Sequence, residues 1–308
     1  MPQNAPKQAT LGPKAPMIVF AYASLRRQFQ ELTARLPSTD EPPDAEAIHQ
    51  MRIAARRLRV ALKMFEPMLP IDAAHDLDGE LRWFARSLGG LRDLDVQAEN
   101  FRTYQQTVAA EHLQALGGYE LHLRRARTEA REHLNTVFNA PRCTKLMESL
   151  ASLLDGAPSP GALRRWRSYR VADGLKKILR KSQRRVLKLG RKVDADTPAE
   201  RLHRLRIRAK RLRYEFEFFR EVYPSLDRAV RATKHLQDVL GEHQDACTAA
   251  ASLREYARSV RRSGRSQTLP PAFGLLLQHE QRKADAMRLA FAGEWQRFER
   301  IMNRTRLA

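Results

Sequence analysis

AIHQMRIAARRLRVALKMFEPMLP, residues 47–70, is the stretch whose reading decides the fold. At a helical period, His49, Arg52, Arg56, Arg59 and Lys63 share an arc of about 80°. Met51, Ala55, Leu58, Leu62 and Phe65 fall roughly opposite. The apolar stripe needs a core to cover it. The basic stripe is a row of cations with no acidic side chain between them. The pattern returns in residues 202–224, LHRLRIRAKRLRYEFEFFREVYP. His203, Arg206, Lys210, Arg211, Leu212, Arg213, Phe219 and Pro224 stand 154 positions after His49, Arg52, Arg56, Arg57, Leu58, Arg59, Phe65 and Pro70. Glu217 replaces Lys63, so the second stripe is weaker at its C-terminal end.

Working outward, the same order of elements is legible on both sides. A first helix is predicted over 17–36, stopped by Pro37. Asp44 is the N-cap of the organising helix, which ends at Pro67 or Pro70, since proline cannot continue a helix. A third helix runs from Asp72 to about Ala115, through Gly89-Gly90, which kink it or allow close packing. Gly117-Gly118 is a predicted turn, followed by a helix to Asn139 and a short one over 141–154. Residues 155–161, DGAPSPG, are the clearest break and lie at the chain's midpoint. Further helices are predicted over 163–191, 198–223, 225–262 and 272–304, with a loop at 263–271. Leu88-Gly89, Asp93 and Arg82 reappear as Leu240-Gly241, Asp245 and Lys234 at an offset of 152. Leu25-Arg26-Arg27 resembles Leu175-Lys176-Lys177.

The fold class this implies is all-α. A helical unit repeated once pairs with itself about a pseudo-twofold axis, giving two antiparallel four-helix bundles. The first repeat spans 17–154, the linker 155–161 and the second repeat 162–304. The Pro-rich polar residues 1–16 read as a disordered segment.

Composition bounds the function. The 308 residues carry 56 Lys and Arg against 35 Asp and Glu, a net charge of +21. Such a field attracts polyanions: nucleic acid, inorganic phosphate chains or acidic membrane. No apolar run reaches the length of a membrane span. The two cysteines, Cys143 and Cys247, stand far apart and form no disulfide framework, which fits a reducing cytoplasm.

A row of cations that no acid interrupts in the first copy, and that returns in the second, suits an anion. Arginine offers forked donors to phosphate oxygens and lysine a point charge. Lys177, Arg180, Lys181, Arg184 and Lys188, spaced by three and four, make another cationic face, and the first four of them are expected to belong to the anion-binding site with the two stripes. His49 and His203 head the two stripes; each is balanced between a structural role and a place in the site. The remaining histidines form no HxxxH or HExxH pair, so no metal site is expected. Asp93, Asp95 and Asp245 beside arginines read as structural ion-pair partners. The aromatics Trp83, Trp166, Trp295, Tyr214 and Phe219 fall mainly on apolar faces, which favours core packing over base stacking. There is no GxxxxGK[ST] loop, GxSxG or Gly-rich phosphate turn, and nothing points to catalysis or a cofactor.

The motifs HxxRxxxRRLRxxLxxF at 49–65, LGxLRDLDV at 88–96, HxLRxxxKRLRYxxE at 203–217 and LQDxLGxxxD at 236–245 resemble those of CHAD proteins, named for a conserved histidine α-helical domain. The likeness covers roughly residues 17–304. It implies two four-helix bundles about a pseudo-twofold axis and a basic central cleft that binds inorganic polyphosphate at polyphosphate granules. Many such proteins carry a neighbouring triphosphate-hydrolysing tunnel domain; this sequence holds no ExExK strand and little β-signal. Carried over residue by residue, His49, Arg52, Arg56, Arg57, Arg59, His203, Arg206, Lys210, Arg211 and Arg213 hold the basic motif positions. Arg82, Arg92 and Lys234 hold further ones beside the LG motifs. Gln244 stands where Arg92 stands in the first copy. The expectation is therefore a non-enzymatic, cytoplasmic polyphosphate binder that meets other granule proteins. A nucleic-acid-associated protein is the runner-up, and a phosphate-handling enzyme with a histidine acceptor the third reading.

Overall fold

The computed structural model describes residues 11–37, 43–155, 158–262 and 269–305. Ten α-helices follow one another among these residues, with no strand: α1 (Met17–Thr33), α2 (Ala45–Phe65), α3 (Ile71–Gln105), α4 (Ala110–Phe138), α5 (Pro141–Asp155), α6 (Pro160–Trp166), α7 (Val171–Gly190), α8 (Ala199–Arg220), α9 (Asp227–Arg262) and α10 (Pro271–Arg304). The all-α class is as the sequence indicates. Each of α1 to α4 packs on the next, and α7 to α10 repeat that neighbour order. The helices α2 and α8 also pack on each other, as do α4 and α10.

Local chemistry sets the ends of α2. The Asp44 carboxylate accepts from the Ala47 amide at 2.6 Å, as a predicted N-cap should. Pro67 lies in a 3-10 turn over Glu66–Met68, and Pro70 caps α3. Gly89 is buried inside α3, and a Cβ there would sit 3.8 Å from the Arg52 guanidinium. It serves close approach.

Three boundaries differ from the sequence reading. Gly117-Gly118 is no turn but lies within α4; the chain reverses over residues 106–109, and α3 ends at Gln105. Burial decides this: Leu116 and Tyr119 are in a core, which outweighs the ~1 kcal/mol that a helical glycine costs. Gly118 also leaves room for the Tyr256 hydroxyl, which would lie 2.9 Å from a Cβ. The helix predicted over 163–191 is broken between Trp166 and Val171. There the Met17 amide donates to the Tyr169 carbonyl at 2.8 Å and the Val171 amide to the Ala15 carbonyl at 3.0 Å. Those bonds also correct the disordered reading of residues 1–16 as far as residues 11–16 are concerned. Residues 1–10, the break at 156–157, residues 38–42 after the predicted stop, and 263–268 of the predicted loop lie outside the described residues.

Both halves feed one core. Phe20 of α1 lies edge-on to Phe65 of α2, 6.0 Å between centroids, and stacks on Phe219 of α8 at 5.2 Å. Phe65 and Phe219 are sequence equivalents, so the two apolar stripes converge on one ring. A second cluster joins the far ends of the long hairpins, with Phe101, Tyr104, Tyr119, Leu253 and Phe273. Trp295, Tyr214 and Phe219 are buried, as core packing requires.

Candidate anion-binding site

The apolar stripe of α2 is fully used. Met51, Ala55, Leu58, Leu62 and Phe65 are at most 1% exposed. The core therefore orients the opposite side, and His49, Arg52, Arg56 and Arg59 are half-buried there. On α8 the counterparts Leu205, Ala209, Leu212, Phe216 and Phe219 are buried. Tyr214 and Phe218 are buried as well, on the other flank of the second basic stripe, so α8 is the more enclosed helix.

Because α2 packs on α8, the two stripes meet. Lys210 lies among Arg56, Arg206, Arg52 and Arg213; burial first, then these four charges, pulls its ammonium down to about 6. Burial, with Arg52 and Arg206 adding to it against Tyr214 and Asp93, pulls its sequence equivalent Arg56 down to about 10. Neither Arg56 nor Lys210 has a carboxylate within ion-pair distance among the described residues.

Elsewhere, neighbouring helices supply the acids that the stripes lack. Arg52 pairs with Asp93 at 2.9 Å, and Arg206 with Asp245 at 3.9 Å. Asp78 of α3 gathers Arg59 at 3.0 Å and both Lys63 and Arg82 at 3.3 Å. Burial pushes the Asp78 carboxyl up, but the Arg59 hydrogen bond and the Arg59 and Lys63 charges outweigh it and hold it below the usual carboxylate range. Glu217 pairs with Arg213 at 3.2 Å and reaches across to Arg57 of α2. Arg57 and Arg213 also lie over the Tyr214 ring. Burial, with the Asp93 charge adding to it, raises Asp245. Asp95 binds Arg127 through two hydrogen bonds of 2.9 and 2.7 Å, a tie between α3 and α4.

The histidines differ. The His203 Nδ1 is 2.7 Å from the Gln244 side-chain oxygen. The His49 Nδ1 is buried without a hydrogen-bond partner. Burial, then the charges of Arg92, Arg52 and Lys210, holds His49 below its usual value, against the pull of Glu46. The Nε atoms of Arg52 and Arg206 are also buried and unpartnered. Buried polar atoms are normally satisfied, so equivalent arginines in both halves leave donors for an incoming acceptor.

Not every predicted residue joins this cluster. His49, Arg52, Arg56, Arg92, Arg206, Lys210 and Arg213 converge. Arg59, Lys63 and Arg82 form the Asp78 network beside it. Arg211 pairs with buried Glu215 at 2.8 Å, on the side of α8 turned away from the stripe. Lys234 is exposed on α9. Lys177, Arg180, Lys181 and Arg184 line a shallow groove made of α7 residues alone. Asp78 and Glu215 were not singled out in the sequence; a carboxylate one helix away from a basic stripe leaves no local spacing signal. Among the described residues no group of three or more His, Cys, Asp or Glu side chains is placed to hold a metal ion. No described helix is long and apolar enough to cross a membrane.

With this geometry in place, comparison with known proteins is informative. Residues 23–254 match the family model of the CHAD domain. Two uncharacterised Mycobacterium tuberculosis proteins are each 24% identical over 264 residues, 85% of this chain. The match spans 50% of those proteins, so the chain covers about half the length of these curated relatives. The crystal structure of the CHAD domain from the plant Ricinus communis superposes with a TM-score of 0.75 at 24% identity, covering 99% of this chain and 98% of that one. PptA from Streptomyces chartreusis superposes at 0.71 with 21% identity, covering 92% of this chain and 99% of that one. These structures share the fold, and the family match spans well over half the sequence: the chain belongs to the CHAD domain family.

Proposed function

We propose that this protein binds inorganic polyphosphate in a cleft formed where α2 and α8 meet, and that it acts as a binder rather than as an enzyme. The observation that carries the reading is the Arg56 and Lys210 pair: two half-buried cations with neighbouring cations and, among the described residues, no carboxylate partner. Holding such groups together costs electrostatic energy that a polyanion would relieve. The unpartnered Nε atoms of Arg52 and Arg206 supply donors for phosphate oxygens. The packing of α2 on α8 supports one strand of ligand touching both stripes, in which case the second contact is intramolecular and benefits from a high effective concentration. Localisation at polyphosphate granules in the cytoplasm, with contacts to other granule proteins, follows from the ligand.

A single-stranded nucleic acid would use the same charges and gain further from rings on which its bases stack. Tyr214, the ring nearest the cluster, is 2% exposed and covered by Arg57 and Arg213. That favours a ligand made of phosphate alone. The test is competition between long-chain polyphosphate and single-stranded RNA at several salt concentrations. Polyphosphate should displace RNA, with log K falling roughly linearly with log salt. RNA that resists displacement, or an affinity flat with salt, defeats the proposal.

A further inference from the structure

The cations of α7 need an account of their own. Lys177, Arg180, Lys181, Arg184, Arg185 and Lys188 are all exposed. At 100° per residue, all but Arg185 fall within an arc of about 100°. The buried side, with Val171, Leu175, Leu179, Ser182 and Val186, is opposite. Ser182 and Arg185 lie near Glu215 of α8. Glu215 itself projects from α8 roughly opposite Arg206, Lys210 and Arg213. The cationic row of α7 is thus separated from the α2/α8 cluster by the thickness of α8 and points away from it.

The row is also unneutralised. No described carboxylate lies within ion-pair distance of any of its members, although Asp173 borders the groove. The corresponding stretch of α1 and the turn after it show the contrast. Arg26 donates to the Leu154 carbonyl at 3.0 and 2.6 Å, Arg27 pairs with Glu221, and Arg35 pairs with Glu31 at 2.7 Å. Gln30 and Glu31 stand where α7 has Arg180 and Lys181. From Lys177 to Lys188 the row is roughly 16 Å long at the helical rise. None of the large apolar side chains exposed on the molecule belongs to α7, which leaves nothing to insert into a bilayer. A straight, wholly polar row of cations fits a linear chain of phosphates.

We infer that the outward face of α7 is a second polyanion-binding surface, separate from the α2/α8 cluster, so that one protomer bridges two polyphosphate segments. Bridging turns a binder into a cross-linker: each protomer ties two chains, or two turns of one chain, and many protomers condense the polymer. This extends the proposal above, since both surfaces are assigned the same ligand.

The experiment titrates the full chain with short-chain polyphosphate no longer than the α7 row, and then mixes it with long-chain polyphosphate while light scattering is recorded. Three proteins are compared: the native chain, Lys177→Gln/Arg180→Gln/Lys181→Gln/Arg184→Gln, and Arg56→Gln/Lys210→Gln. The native chain should bind two short chains and scatter with long ones. Each variant should bind one short chain and lose the scattering, because a protein with a single site cannot cross-link. The four α7 side chains are exposed, and far-ultraviolet circular dichroism checks that the helix persists. A native stoichiometry of one, or an α7 variant that keeps both stoichiometry and scattering, overturns the inference. If the central variant binds like the native chain while the α7 variant binds nothing, the α2/α8 proposal fails. The separate α7 surface then survives but bridging does not.

Discussion

Compare the two halves at equivalent positions. In the first, Asp78 on α3 holds Arg59, Lys63 and Arg82 together. In the second, Val230 stands where Asp78 does, and the carboxylate has moved onto the basic helix itself as Glu217, in the place of Lys63. Glu217 then serves Arg213 and also Arg57 of the opposite half. At the head of each stripe, His49 sits near the Arg92 cation, whereas His203 is bonded to Gln244. At the head of the stripe the second half is the better satisfied, and α8 is the more buried helix, whereas the first half leaves His49 beside a cation. The repeated motif conserves helix phase and burial, while the charges around it have diverged. The most symmetric feature is the meeting of Arg56 with Lys210, and that is where the comparison breaks most easily.

The largest effect is expected from Arg56→Glu and Lys210→Glu, made separately. If the halves act on one strand of ligand, each reversal repels the phosphate held by the other half. Either variant should weaken long-chain polyphosphate binding on the order of 100-fold and flatten the salt dependence. Each is read by fluorescence titration at two salt concentrations. Half the central stoichiometry at unchanged affinity, in either variant, would mean that the halves bind independently.

Lys210→Met comes next and is read in the unliganded protein. Free lysine titrates near 10.5, and the folded environment lowers Lys210 to about 6. Between those values the unfolded chain holds a proton that the folded chain has lost. Stability contributed by this group therefore rises with pH across the window, and the cost is full below the folded value. Lys210→Met should remove that rise and stabilise the ligand-free protein by about 1–3 kcal/mol near neutral pH. Urea melts at pH values spanning the window check it. A variant less stable than the native chain would show that the ammonium is held by favourable contacts. Arg56→Met serves as the partner measurement on the other half.

Much of this was legible before the structure. Helical period alone puts Met51 and Phe65 in the core and Arg52 and Arg56 opposite, because burial enforces phase. The offset of 154 then places Lys210 in the same role. What stayed hidden depends on contacts between helices. Nothing near Arg59 in the chain announces Asp78, and nothing local says that Arg211 turns to Glu215 rather than to the stripe. The α7 row was read as part of the site because its charge is visible in sequence and its direction is not. The break between Trp166 and Val171 has no proline or glycine to mark it; it exists because residues 15–17 pair with the backbone there. Gly117-Gly118 misled for the opposite reason, since packing against Tyr256 outweighs a local preference for a turn.

The smallest effect separates the histidines. Burial and the Arg92 charge keep His49 below its ordinary pKa in the free protein, so it is mostly neutral at physiological pH. A polyphosphate in the cleft would favour the imidazolium and raise that pKa. Binding then takes up a proton and tightens as pH falls through the interval between the free and bound values, by up to about tenfold for each unit separating them. His203, whose ring is bonded to Gln244, is the control on the second half. Lys210 titrates in the same region, so the measurement belongs in the Lys210→Met background, where any residual central affinity is followed from about pH 5 to about pH 8. There His49→Gln should flatten the pH dependence while His203→Gln leaves it in place. Replacing Arg92 with Gln copies the second half onto the first; it should raise the free pKa of His49 and shrink the same response without removing the ring. If His49→Gln and His203→Gln behave alike, the difference between Arg92 and Gln244 has no consequence for binding, and the two halves are equivalent where the ligand touches them.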